Sequence, residues 1–432
     1  MGSKNILTAG KWLFLAGIAL LIIRSNSYPW PLKRASDILF LLAALLACSS
    51  FVREKPWKVG RIRQGIFGFL LIFGGILIAT AFAYFLNGTK VTAAGVLAFG
   101  RFIEVAVIFL LAGFFLKQDP RFLKEAALAQ LSTLIYLIAL IYPALAPEGR
   151  FRLFENWPSN AGYYLIASLS MIYTWLAIRA SGPARSALYF ALFAGLGGIL
   201  LWTMSRASWL AVLLSIGLII FTRLFVPGEQ RRSKIKKAAV GLFTALLGIG
   251  FGFLLLSAPV KNQVLTRFFP QLQLDIWAQA PAATIKNILE TDLMPDLSDP
   301  NRIIIWKKYI SLLLKNPLGL GLDYPPVTLG DESKGPHNTL LELLLVAGPF
   351  GLAGFLYLFL VAVKNAATQA RRSGYGAVWP IYLLAVLAGF ATAAFFDNMS
   401  TFRLMWILIG VGFFLDAENQ NKELAGKSAV LD

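Results

Sequence analysis

The chain has 432 residues, 57% of them hydrophobic and 14% charged, with a mean hydropathy of +0.68. An ordinary soluble domain carries roughly 25% charged residues, so this composition excludes a water-soluble globule and asks for a lipid solvent. Lys and Arg number 40 against 22 Asp and Glu. The bases lie mostly between apolar runs, so they read as topological signals rather than as a nucleic-acid surface.

Twelve apolar runs follow one another along the chain, at about 7–23, 36–52, 65–86, 91–116, 126–146, 161–178, 186–204, 207–226, 238–258, 338–363, 376–396 and 402–416. Each approaches the ~20 residues that an α-helix needs to cross a bilayer. The first run has no small-x-small cleavage site and is expected to stay as a span. Runs seven and eight are separated only by Ser205-Arg206. The one cysteine, Cys48, lies inside a run, so the chain makes no disulfide with itself.

With the N-terminus inside, the inner segments hold 22 bases and the short outer loops hold 8. That bias puts both termini in the cytoplasm. The expected organisation is nine helices over 1–258, a large periplasmic loop over 259–337, three helices over 338–416 and a cytoplasmic tail over 417–432. The long loop carries 8 bases and 8 acids. Within it, Ile303, Trp306, Ile310, Leu313 and Leu314 recur at helical spacing between Arg302 and Lys315. That helix is too short to span. Asn301 is placed to cap it, and Asn316-Pro317-Leu318-Gly319-Leu320-Gly321 to stop it.

This topology gathers the polar residues worth attention at the outer face. His337 is the only histidine. An imidazole titrates near neutral pH, which suits proton transfer; alternatively it merely precedes a capping box formed by Thr339 and Glu342. Arg206 occupies the tight turn between two runs, where an ionisable group is a functional candidate, and otherwise snorkels to lipid phosphate. Arg302 sits in the first turn of the loop helix, where the macrodipole disfavours a cation unless an anion binds there. Arg150, Arg152 and Asn160 lie in the outer loop before the sixth run. Arg101 and Glu104, three apart, are expected to pair. No His/Cys/carboxylate set has metal-ligand spacing, so neither a metal nor a cofactor is expected. A twelve-span lipid or solute transporter is the competing class, but no internal repeat supports it.

Several of these stretches resemble one family. They are Arg302-x-x-x-Trp306, Asn316 to Gly321, His337-Asn338 followed by Gly348-Pro349-Phe350-Gly351, Thr203-Met204-Ser205-Arg206, and Pro158-Ser159-Asn160. Over roughly residues 150–355 they are similar in spacing to the O-antigen ligase and polymerase superfamily. The resemblance implies an all-α polytopic glycosyltransferase of the lipid-donor kind (GT-C-like), working without metal in a bacterial inner membrane, with its site facing the periplasm. It implies an O-antigen ligase that moves a glycan from undecaprenyl diphosphate to lipid A–core. A polymerase or a protein O-oligosaccharyltransferase is the alternative within the superfamily. The chain stops soon after the last run, which points to ligase or polymerase. In that reading His337 is the base, Arg206 and Arg302 hold the diphosphate, and Asn338, Asn160, Arg152 and Arg150 are substrate contacts.

Overall fold

A computed structural model describes residues 3–21, 35–54, 60–88, 90–141, 158–178, 182–224, 231–268, 300–329, 332–372 and 378–415. The first half contains helices α1 (Ser3–Leu20), α2 (Ala35–Glu54), α3 (Gly60–Asn87), α4 (Ala93–Gln118) and α5 (Phe122–Ile141). Next come α6 (Pro158–Ile178), α7 (Pro183–Trp202), α8 (Arg206–Leu224), α9 (Arg231–Leu255) and α10 (Ala258–Phe268). Then follow α11 (Pro300–Lys315), the strands β1 (Val327–Leu329) and β2 (Glu332–Lys334), and α12 (Thr339–Arg372), α13 (Val378–Phe396) and α14 (Arg403–Phe414).

A helix lies over each of the twelve apolar runs, and among the described residues seven helices are long and apolar enough to cross a membrane. The protein is a polytopic α-helical membrane protein. Exposed Leu242, Phe243, Leu246 and Leu247 on α9 have the character of a lipid-facing surface.

α12 is the centre of the bundle and packs on α3, α13 and α14. The contact with α3 is close enough to require small residues: a Cβ on Gly75 would lie 2.3 Å from the Ala347 carbonyl oxygen. Without a hydrophobic drive between helices in lipid, such close approach supplies the attraction. Interhelical hydrogen bonds add to it, as where Ser215 Oγ on α8 donates to the Ala385 carbonyl on α13 at 2.9 Å.

α12 is broken in its first third. Gly348 has φ 61° and ψ −164°, a conformation reserved for glycine, and Pro349 follows. Pro349 has no N–H, so the carbonyl of Leu345 loses its helical donor. The segment after α11 replaces it: Leu320 N–H donates to Leu345 O at 2.6 Å, and Gly321 N–H at 3.2 Å. The Asn316–Gly321 stretch, expected only to stop a helix, therefore also completes the hydrogen bonding of another.

The amphipathic helix starts at Pro300 rather than after a cap at Asn301; proline suits the first helical turn because its missing N–H would find no helical partner there. Ile305 and Tyr309 of α11 join Leu320, Val327, Leu341 and Leu345 in a small second core. Tyr309 Oη accepts the Val327 N–H at 3.1 Å, and β1 pairs antiparallel with β2, Val327 opposite Lys334. This core holds α11 and the segment through β1 against the first third of α12.

Candidate active site

The start of α12 meets the connection between α13 and α14, residues 397–402. Asn338 caps α12: its Oδ1 accepts the Leu341 N–H at 2.9 Å, while its own N–H donates to Asn398 Oδ1 at 2.9 Å and its Nδ2 to Phe395 O at 2.9 Å. Thr339 is occupied otherwise. Its Oγ1 donates to Asp397 O at 2.7 Å and accepts from Met399 N–H at 2.7 Å. The capping box expected of Thr339 and Glu342 is therefore not formed; Asn338 does the capping, because Thr339 and Glu342 face the 397–402 turn.

His337 immediately precedes this cap with φ 45°, a backbone conformation that is uncommon outside glycine. Its Nδ1 lies 3.7 Å from Asp397 Oδ1, an electrostatic contact longer than a hydrogen bond. The imidazole is 42% exposed, so a substrate can reach it. Asp397 is also bound by Tyr163 Oη from α6 and by the Asn398 N–H at 2.8 Å. Burial pushes the Asp397 carboxyl up, but the neighbouring His337 and the donors from Tyr163 and Asn398 outweigh it and hold the group below the usual carboxylate range.

Arg302 reaches the same place from α11. Its guanidinium donates to Phe396 O at 3.1 Å. Phe396 ends α13, so a cation at the start of one helix is compensated by the carbonyl end of another. Trp306, one turn on, donates from Nε1 to Pro336 O at 2.8 Å, beside His337. Arg302, Trp306, His337 and Asn338 are thus brought together.

Arg206 is the first residue of α8, half-buried, after Met204 at φ 52°. This junction rests on α6: a Cβ at Gly162 would collide with Ser208 Oγ, one residue before Tyr163. Arg206 therefore lies on the same end of the bundle, linked to Asp397 through α6. Asn160 is in the first turn of α6, its side chain outside the described set, and Arg150 and Arg152 lie outside the described residues.

Arg101 and Glu104 do not form the expected pair. Arg101 is exposed, while Glu104 accepts two hydrogen bonds from the buried Arg403, at 2.5 and 2.8 Å, and Arg403 also meets Asp37 at 2.7 Å. A buried guanidinium without such partners is costly, and the start of α14 brings Arg403 to Glu104.

Sequence reasoning singled out neither Asp397 nor Tyr163. The topology expected from the charge bias places residue 397 on the same side as His337, so an acid after an apolar run on the lone histidine's side was a usable signal. Nothing in the spacing of Tyr163 distinguishes it from the apolar residues around it.

A many-helix membrane bundle with a histidine, a carboxylate and an arginine at one end defines a class of membrane proteins equipped to handle polar groups beside lipid. Residues 190–356 match a family model described as O-antigen ligase. The matched stretch contains Arg206, Arg302, His337, Asn338 and Gly348; Asp397 and Tyr163 come from outside it. No curated protein matches the chain.

Proposed function

We propose that the protein is an O-antigen ligase that transfers a glycan from undecaprenyl diphosphate to a sugar hydroxyl of lipid A–core. The observation that carries the reading is the reachable His337 imidazole with Nδ1 facing Asp397, within an O-antigen ligase family fold. A carboxylate at Nδ1 favours the tautomer with its proton there and leaves Nε2 as the base. The acceptor oxygen attacks the anomeric carbon, its proton passes to Nε2, and the carbon–oxygen bond to the diphosphate breaks with its electron pair. The displacement is in line and inverts the anomeric centre.

The leaving diphosphate needs positive charge. Arg302 and Arg206 supply it, because a guanidinium binds phosphate oxygens through two parallel N–H donors. Electrostatic stabilisation of a departing anion is commonly the largest catalytic contribution. Asn338, Asn160, Arg152 and Arg150 are the further substrate contacts in this reading. The twelve apolar helices cross the inner membrane in a GT-C-like arrangement, with both termini cytoplasmic and the 259–337 segment periplasmic, as the charge bias requires.

Purified protein with a glycan on undecaprenyl diphosphate and lipid A–core should add mass to the lipid A–core. His337→Ala should slow that step by about 10²–10⁴-fold at unchanged donor binding, the usual cost of losing a general base. Mass added instead to a second lipid-linked glycan identifies a polymerase. Transfer by the alanine variant at the parent rate removes the histidine from the mechanism.

A further inference from the structure

The main chain of the 397–402 turn is anchored at both ends without the hydroxyl of Tyr163. The Asp397 carbonyl accepts the Thr339 hydroxyl at 2.7 Å, the Met399 N–H donates to that hydroxyl at 2.7 Å, and Asn398 Oδ1 accepts the Asn338 N–H at 2.9 Å. Phe402 closes the turn, its ring packed on Tyr164 and Phe390 at centroid distances of 5.4 and 5.9 Å. These contacts hold the backbone and the far end of the turn. They leave the Asp397 side chain free to choose among its rotamers.

Two donors make that choice. The Asn398 N–H reaches Oδ1 at 2.8 Å, and the Tyr163 hydroxyl reaches Oδ2. Tyr163 is 1% exposed, with its ring edge-on to Phe402 at 5.3 Å. The residue before it, Gly162, is pressed against Ser208 of α8. The hydroxyl is therefore presented from a ring that packing has fixed. With Oδ2 taken by Tyr163, Oδ1 is turned to His337 Nδ1, 3.7 Å away. At that distance the carboxylate acts by charge, so its direction decides which ring nitrogen it favours. The donor is also a neutral phenol. It satisfies a carboxylate oxygen without cancelling the negative charge, as a lysine or arginine in its place would.

We propose that Tyr163 is a positioning residue: its hydroxyl holds the Asp397 carboxylate toward His337 Nδ1, which keeps the proton of the neutral ring on Nδ1 and leaves Nε2 free to accept another. Which nitrogen of a neutral imidazole carries the proton is set by its hydrogen-bonding partners. The role rests on the reading of His337 as the base. Tyr163 touches no substrate; it acts through Asp397.

His337 is the only histidine in the chain, so nitrogen-15 labelling of histidine gives one imidazole. Its two nitrogen signals, read by NMR in nanodiscs at alkaline pH, report the tautomer ratio. The parent should hold the proton chiefly on Nδ1. Tyr163→Phe keeps the ring against Phe402 and removes the hydroxyl. It should move the ratio toward the Nε2-protonated form by about tenfold, the low end of what one hydrogen bond to a charged group is worth. Single-turnover transfer should fall with the Nδ1-protonated fraction, at unchanged donor binding. Phe402→Leu does the reverse, loosening the ring contact and keeping the hydroxyl. It should lower the melting temperature and leave the ratio in place. An unchanged ratio in Tyr163→Phe overturns the proposal. So does an equal change in Phe402→Leu, which would trace the effect to a loosened turn. A moved ratio in Tyr163→Phe, together with transfer at the parent rate by His337→Ala, removes the base and leaves the hold of Tyr163 on the ring standing. An unmoved ratio together with a slow His337→Ala keeps the base and removes Tyr163.

Discussion

Two segments dock on the first third of α12, and they dock by different means. The 316–321 segment binds the broken end of that third through main-chain donors and glycines. The 397–402 turn binds the other end through the Thr339 hydroxyl and the main-chain N–H of Asn338. The first joint is built for close approach and holds the polypeptide in place. The second leaves an exposed imidazole above a carboxylate, and it is where chemistry can occur. A rigid joint one or two turns from a polar one is what a reacting group needs, since catalytic geometry is kept by neighbours that do not move.

The sharpest way to break this comparison is to disturb the glycine joint alone. A Cβ at Gly348 would lie 2.2 Å from Leu318 O, and the backbone there has φ 61°. The backbone alone costs a side chain about 1–3 kcal/mol, and the collision adds to it. Gly348→Ala should therefore lose thermal stability in detergent by more than any substitution in the 397–402 turn. Normal melting of that variant would mean that the joint is not a structural anchor.

Next in size is the arginine beside the polar joint. Arg302→Ala should weaken donor binding by about 10–10²-fold, since a hydrogen bond to a charged group is worth about 1.5–3 kcal/mol. Arg302→Lys should restore it poorly, because an ammonium lacks the planar fork. The measurement is donor affinity at matched stability, needed because Arg302 also holds Phe396 O. Unchanged affinity in both variants would make that carbonyl its whole role.

The smallest effect concerns the cap. Asn338→Ala removes an N-cap, at about 1 kcal/mol, and cuts two ties from α12 to the turn. A modest fall in melting temperature with a larger proportional loss in single-turnover rate would show that the polar joint serves the site. Equal proportional losses would make it one more structural contact.

Much of the helical plan was legible because it depends on local chemistry. Apolar runs of spanning length, Ile303 to Leu314 at helical spacing, and the asymmetry of Lys and Arg each carry their meaning within a few turns of chain. His337 and Arg302 were legible for a similar reason, being rare ionisable groups at the ends of apolar segments. The Asn316–Gly321 stretch was visible as a helix stop, but its second role was not, because the carbonyl it satisfies belongs to Leu345, made an orphan by Pro349.

What only the tertiary structure decided is partnership. Glu104 pairs with Arg403, 299 residues away, and leaves its helical neighbour Arg101 exposed. Asp397 meets Tyr163 across 234 residues and His337 across a helix junction. Periodicity states which face of a helix is apolar; it does not state which other helix lies against it, and burial makes a charge take whichever partner the packing brings within reach. The sequence by itself determined a many-helix membrane bundle with ionisable residues at the ends of its apolar runs, because lipid imposes length and polarity on every span. Packing decided which of those residues face one another, because a hydrogen bond or ion pair is set by a few ångströms that no spacing along the chain contains.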